Sequence, residues 1–230
     1  MLDGGDVMGT MVRLYVIWLA FVSCGVNASE TRIDKPVLGI PYTLIEQADT
    51  SKISIDDHQI TIAAKKGTDL YTSPDGSSAA DNAPRVYFEP KADFIFSAKV
   101  TAGFNSAYDG GAIFVYADSG NWGKLLFERF KSGANGVAST VAHGTGDDAY
   151  HTVHTSTELY LKIVRRNKGF IFYQSEDGLK WFYLRSFTLA SSKPVKLGFI
   201  AQSPLSPEFV ATYSDISFEE KTISDFWQGK

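Results

Sequence analysis

From about residue 40 onwards, apolar and polar residues alternate in short segments, with turn-forming residues between them. Successive side chains of a strand point to opposite faces, so a period of two predicts half-buried β-strands. Ile53, Ile55, Ile60 and Ile62 outline a hairpin, with Asp56-Asp57-His58 near its turn. Residues 67–85 are rich in Gly, Pro, Ser, Asp and Asn and read as a loop. Strands are expected at 93–100 (DFIFSAKV), at 111–117 (GAIFVYA), which is mostly apolar and central, and at 124–130 (KLLFERF). After a turn at 133–136, Val137, Ser139 and Val141 continue the alternation. Further strands follow at 159–165, 170–174, 181–187, 195–201 and 209–219. No amphipathic helix is evident, only a short turn over 224–228. Strands at such spacing predict a sandwich or barrel. The 16 Phe, 11 Tyr and 4 Trp suit half-buried pleated surfaces. No segment reads as an interdomain linker or a repeat. A net charge of −4, without a basic run, argues against nucleic acid as a partner.

Residues 14–22 (LYVIWLAFV) follow Arg13 and form an apolar run shorter than the roughly 20 residues of a membrane-spanning helix. Their length fits the apolar region of an export signal, and Val26-Asn27-Ala28 offers the small residues a signal peptidase reads. Residues 1–28 are therefore read as a signal peptide cleaved after Ala28, with Met11 an alternative start. Residues 29–230 are read as one secreted or periplasmic domain, with no transmembrane segment in the mature chain. Cys24 is the sole cysteine. Lipid anchoring through it is the lesser reading, because Phe21-Val22-Ser23 matches poorly the Leu-Ala-Gly that usually precedes a lipidated cysteine. Loss of Cys24 with the leader excludes thiol chemistry and Cys-ligated zinc.

Several blocks carry a family likeness: 67–85, 93–100, 108–116 (YDGGAIFVY), 122–129 (WGKLLFER), 163–187 (IVRRNKGFIFYQSEDGLKWFYLRSF) and 197–204 (LGFIAQSP). In these the chain resembles the domain-of-unknown-function family that includes YesU-like proteins. It is also similar to the concanavalin A-like C-terminal domains of bacterial β-xylosidases. The likeness covers about residues 38–220. It implies an all-β, two-sheet antiparallel jelly-roll sandwich of the concanavalin A-like lectin/glucanase type, with a concave face that holds polysaccharide or glycan. Family members commonly follow the Glu-containing strand with a Val-Val-Thr strand and a Ser-Asp-Trp-Ser turn. Here residues 139–153 read STVAHGTGDDAYHTV, with His143 in place of a small polar residue and no Trp.

Period two places Lys124, Leu126, Glu128 and Phe130 on one face of their strand and Leu125, Phe127 and Arg129 on the other. A carboxylate and an ammonium on a concave face would meet a ligand's hydroxyls. Asp109 stands where it could join them, and Trp122 could stack on a sugar ring. His143 and Tyr150, from the divergent segment, complete the candidate ligand-binding set. The structural alternative pairs Glu128 with Arg165, or Lys124 with Asp109.

A glycosidase requires two carboxylates about 5–10 Å apart. The Glu-x-Asp-x-Glu strand of catalytic jelly rolls is absent, and Glu219-Glu220 reads as solvated. His58 and His143 are isolated, while His151-x-x-His154 reads as part of a polar loop near Asp147-Asp148. No Asp-x-Asp-x-Asp-Gly loop supports calcium, so no cofactor is assigned. Asp75-Gly76 and Asp177-Gly178 read as turn formers, and Trp181 and Phe172 as core. The leading expectation is an exported, non-catalytic carbohydrate-binding sandwich. Its rivals are a glycoside hydrolase or lyase using Glu128 and Asp109, and a structural or protein-interaction sandwich.

Overall fold

The computed structural model describes residues 30–34, 36–41, 43–46 and 51–230. The expected leader, with Cys24, lies outside the described residues. Seventeen strands are described, and no helix among these residues. The first seven are β1 (Glu30–Ile33), β2 (Thr43–Glu46), β3 (Lys52–Ile55), β4 (Gln59–Lys65), β5 (Leu70–Thr72), β6 (Ala79–Asp81) and β7 (Arg85–Phe88). Next come β8 (Phe94–Ala102), β9 (Gly110–Asp118), β10 (Asn121–Arg129), β11 (Asn135–His143) and β12 (Gly146–His154). The last five are β13 (Glu158–Arg166), β14 (Gly169–Ser175), β15 (Phe182–Thr188), β16 (Lys196–Gln202) and β17 (Glu208–Glu219).

They form an antiparallel jelly-roll sandwich of the concanavalin A-like type. One sheet runs β1-β2-β7-β16-β9-β10-β11-β12, and the other runs β15-β14-β13-β8-β17-β4-β3. The chain crosses between sheets from β7 to β8 and back at β9. It crosses again at β13, β16 and β17, so each sheet interleaves early and late strands. The inner faces meet in one core that includes Phe88, Phe96, Phe127, Phe172, Phe199 and Phe209, all fully buried. Each such ring contributes roughly 1.5–3 kcal/mol relative to exposure.

The expected hairpin is present, with Ile53 opposite Ile62 and Ile55 opposite Ile60. Asp56 Oδ1 accepts from the backbone N–H of His58 and of Gln59, which closes its turn. Gly76 and Gly178 both take positive φ, as turn positions beside an aspartate favour. Two expectations need correction. Residues 67–85 are not all loop: β5 and β6 pair within them as a small hairpin. His151 and His154 sit on strand β12, which pairs with β11, because the polar alternation of 146–154 is that of an outermost strand.

The β5–β6 segment lies over the outer face of the eight-stranded sheet. Gly146, at the start of β12, makes this possible. A Cβ there would stand 2.0 Å from the Thr72 carbonyl oxygen. The Gly146 N–H donates to the Ser73 carbonyl.

Candidate functional site

Strand β10 supplies the floor of the site. Leu125 and Phe127 enter the core, while Trp122, Lys124, Leu126 and Glu128 point to the outer face. The overlying 67–85 segment divides that outer row. Towards Trp122 it is shut, with Leu70, Tyr87, Phe114 and Trp122 forming a second apolar cluster. Towards Glu128 it stays open as a cavity of about 420 Å³. Asp69, Tyr71, Tyr108, Lys124, Glu128, Ser139, Thr140, Asp148, Tyr150 and Gln202 line this cavity, together with Leu126, Ala138 and Pro204.

Lys124 is almost fully buried, and all three of its ammonium protons have acceptors. It donates to the Leu70 carbonyl (2.6 Å) and to Gln202 Oε1 (2.7 Å), and lies 3.5 Å from Asp69 Oδ1. Gln202 is fixed in turn, since its Nε2 donates to the Tyr108 carbonyl at 3.1 Å. Tyr108 has a positive φ of 69°, a strained backbone position for a residue with a side chain.

Glu128 is the opposite case. It is only 4% exposed, lines the cavity and makes no hydrogen bond to the protein among the described residues. Its cross-strand neighbours are Gly110 on β9 and Gly136 on β11, neither of which has a side chain to offer. A Cβ on Gly110 would lie 2.6 Å from Leu126 Cδ1 and 3.1 Å from the Glu128 Cβ. Burial pushes the Glu128 carboxyl up to about 7, with Lys124 pulling partly against it.

Tyr150, 62% exposed, stacks on Phe130 with ring centroids 4.3 Å apart at the cavity's outer wall. Beside it, Asp148 accepts from the Thr140 hydroxyl.

Of the six expected residues, the structure brings Lys124, Glu128 and Tyr150 to one cavity. It does not bring Asp109, Trp122 or His143 to the lining. Asp109 is sealed: its Oδ2 accepts from the Asn105 and Ser106 N–H groups and from Ser206 Oγ (2.7 Å), with Ser203 Oγ 3.5 Å from Oδ1. Trp122 is 1% exposed in the second apolar cluster, and His143 is exposed at the end of β11. Neither structural pairing forms. Lys124 meets Asp69 rather than Asp109, and the Arg165 Nε donates to the Asn167 carbonyl on the other sheet.

Asp69, Tyr71, Tyr108 and Gln202 were not singled out from sequence, and Asp148 was read only as part of a polar loop. Gly110 of YDGGA and Gly136, which leave Glu128 without cross-strand side chains, were the available signal. The histidines have separate partners. His151 Nε2 lies 2.8 Å from Ser139 Oγ, and His154 is shared between Thr152 and Glu176. Among the described residues, no group of three or more His, Cys, Asp or Glu side chains could hold a metal ion. No helix among them is long and apolar enough to cross a membrane.

The architecture has solved relatives. A functionally unknown protein from Saccharomyces cerevisiae aligns with a TM-score of 0.69 and 19% identity, over 84% of this chain and 97% of that one. The GH43 BlXynB protein from Bacillus licheniformis aligns at 0.60 and 14%, over 86% of this chain and 40% of that one. A xylan β-1,4-xylosidase from Bacillus halodurans aligns at 0.59 and 9%, over 74% and 38%. At these identities the likeness is one of fold. No curated protein matches the chain. Its sequence, however, matches a family over residues 47–221, most of its length, and the chain belongs to that family, described as "Protein of unknown function (DUF1349)".

Proposed function

We propose that this chain is an exported carbohydrate-binding sandwich that holds part of a glycan in the cavity above β10 without altering it chemically. The observation that carries the reading is Glu128, a side chain only 4% exposed that makes no hydrogen bond among the described residues and faces an open cavity. Buried polar groups are normally satisfied, so one left open beside a cavity is explained by a partner that arrives with the ligand. Sugar hydroxyls would donate to Glu128 and Asp148, and the C–H faces of the rings would pack on Tyr71, Tyr108 and Tyr150. A cavity of about 420 Å³ falls within the roughly 300–1,000 Å³ typical of small-molecule sites. The xylosidase among the neighbours adds an analogy of fold, which alone decides no function. Export, to the periplasm or outside the cell, rests on the apolar run at 14–22 and the small residues before position 29.

The test is affinity electrophoresis and a glycan array with the purified chain. Retardation by at least one polysaccharide, lost in Glu128→Gln, is expected. No retention across plant, algal and bacterial wall glycans would reject the reading.

The raised Glu128 favours a second reading, hydrolysis or lysis of a polysaccharide, because a carboxyl held near 7 suits a general acid. Asp148 or Asp69 would then be the second carboxylate, Asp109 being sealed in its own hydrogen bonds. Release of reducing or unsaturated ends by the native chain but not by Glu128→Gln would establish it.

A further inference from the structure

We infer that the cavity above β10 takes a glycan unit bearing a positively charged amino group, a hexosamine whose nitrogen is not acylated. This rests on the glycan-binding reading and names its ligand class. Three carboxylates line the cavity, Asp69, Glu128 and Asp148, against one cation, Lys124. That cation is already spent, since its protons are directed at Leu70, Gln202 and Asp69. Glu128 therefore has a buried carboxyl and no hydrogen bond, and Asp148 has a neutral hydroxyl donor but no ion pair.

A buried carboxylate is stabilised by a counter-charge that also donates hydrogen bonds, which an ammonium does. A neutral hydroxyl supplies only the hydrogen bond. A uronate or sulfate would add a like charge to a site that already has an excess of them. A bare metal ion fits less well, since no three acidic or histidine side chains converge to bind one among the described residues. The Thr140 hydroxyl and the Asp148 carboxylate lie along one wall, where the hydroxyls of a sugar body would meet them.

The experiment is calorimetric titration of the full chain with four oligosaccharide sets of equal length: deacetylated chitosan, N-acetylated chitin, xylan and polygalacturonate fragments. The buffer is held near pH 7, because a more acidic one would leave the Glu128 carboxyl protonated and without the charge that an ammonium pairs with. The chitosan set is expected to bind about tenfold or more tighter than the chitin set, the scale of one charge-assisted hydrogen bond. The galacturonate set is expected to be the weakest. Glu128→Gln, nearly isosteric, should weaken binding of every set and remove most of the amine preference, so that any remaining binding is about equal for the chitosan and chitin sets. Asp148→Asn should lose a smaller part.

Equal binding of chitosan and chitin fragments, or tighter binding of galacturonate, would overturn the amino-sugar assignment and leave glycan binding standing. Binding of no oligosaccharide at all would overturn both. A full amine preference surviving in Glu128→Gln would overturn the placement at this cavity.

Discussion

Among the described residues, each sheet buries one lysine on its outer face, and the two are treated differently. On the seven-stranded sheet, Lys162 is covered by the C-terminal segment. Its ammonium donates to the Gly229 carbonyl at 2.9 Å and lies 3.8 Å from the Trp181 ring centroid. Ile223, Tyr173 and Phe226 close the rest of that face. The covering is apolar enough that burial pulls Lys162 down to about 8. On the eight-stranded sheet, Lys124 has a full set of acceptors from three segments, yet Glu128, two side chains along the same row, receives no hydrogen bond among the described residues. One face is plugged. The other is arranged around a gap, with one desolvated carboxyl beside it. Local violations of packing rules of this kind are where function is expected.

The contrast can be broken by matched substitutions. Lys124→Met is expected to have the largest effect, about 3–5 kcal/mol of destabilisation by denaturant titration, because it leaves Asp69, Gln202 and the Leu70 carbonyl unpaired. A loss under 1 kcal/mol would show that the acceptor ring is not structural.

Glu128→Gln should move the other way. The native carboxyl is raised from 4.5 to about 7 on folding. Its favourable contribution is therefore fully present below pH 4.5 and disappears as pH rises to about 7. The variant should thus match the native chain near pH 4.5 and exceed it by up to about 3 kcal/mol at pH 8. Equal stabilities at both pH values would mean that Glu128 is not desolvated.

Lys162→Met should be neutral or stabilising by up to about 2 kcal/mol at pH 7. The native lysine is lowered from 10.5 to about 8 on folding, so native stability rises as pH climbs through that window. Any gain in the variant should fade by pH 11, which a pH series of thermal melts would show. The smallest effect on stability is expected for Tyr150→Ala, under about 1 kcal/mol, since that ring is mostly exposed. If the cavity binds glycan, the same variant should still weaken retention on affinity gels.

Much of this was legible from local pattern. Period two alone divided β10 into Leu125 and Phe127 against Lys124 and Glu128, because a strand's side chains alternate whatever the fold around it. The covering of that row was not legible. Trp122 and Lys124 share a face two residues apart, and only the position of the β5–β6 hairpin makes one core and the other cavity wall. Asp109 has the sequence profile of a site residue. Its fate was decided by Ser203 and Ser206, more than ninety residues downstream. Asp148 and Tyr150 lie in a segment read as divergent loop, because an outermost strand with one solvated face carries few apolar residues to announce it.

The ring around Lys124 also has a history along the chain. Its first acceptor, Leu70, precedes the lysine by 54 residues, and its side-chain amide partner, Gln202, follows it by 78. In a polypeptide made from the N-terminus, the first half of the ring can form early, but the second must wait for β16 to insert between β7 and β9. The cavity wall is thus fixed only when β16, the last in chain order of the eight strands of its sheet, is paired between β7 and β9, so the site depends on segments from both halves of the chain.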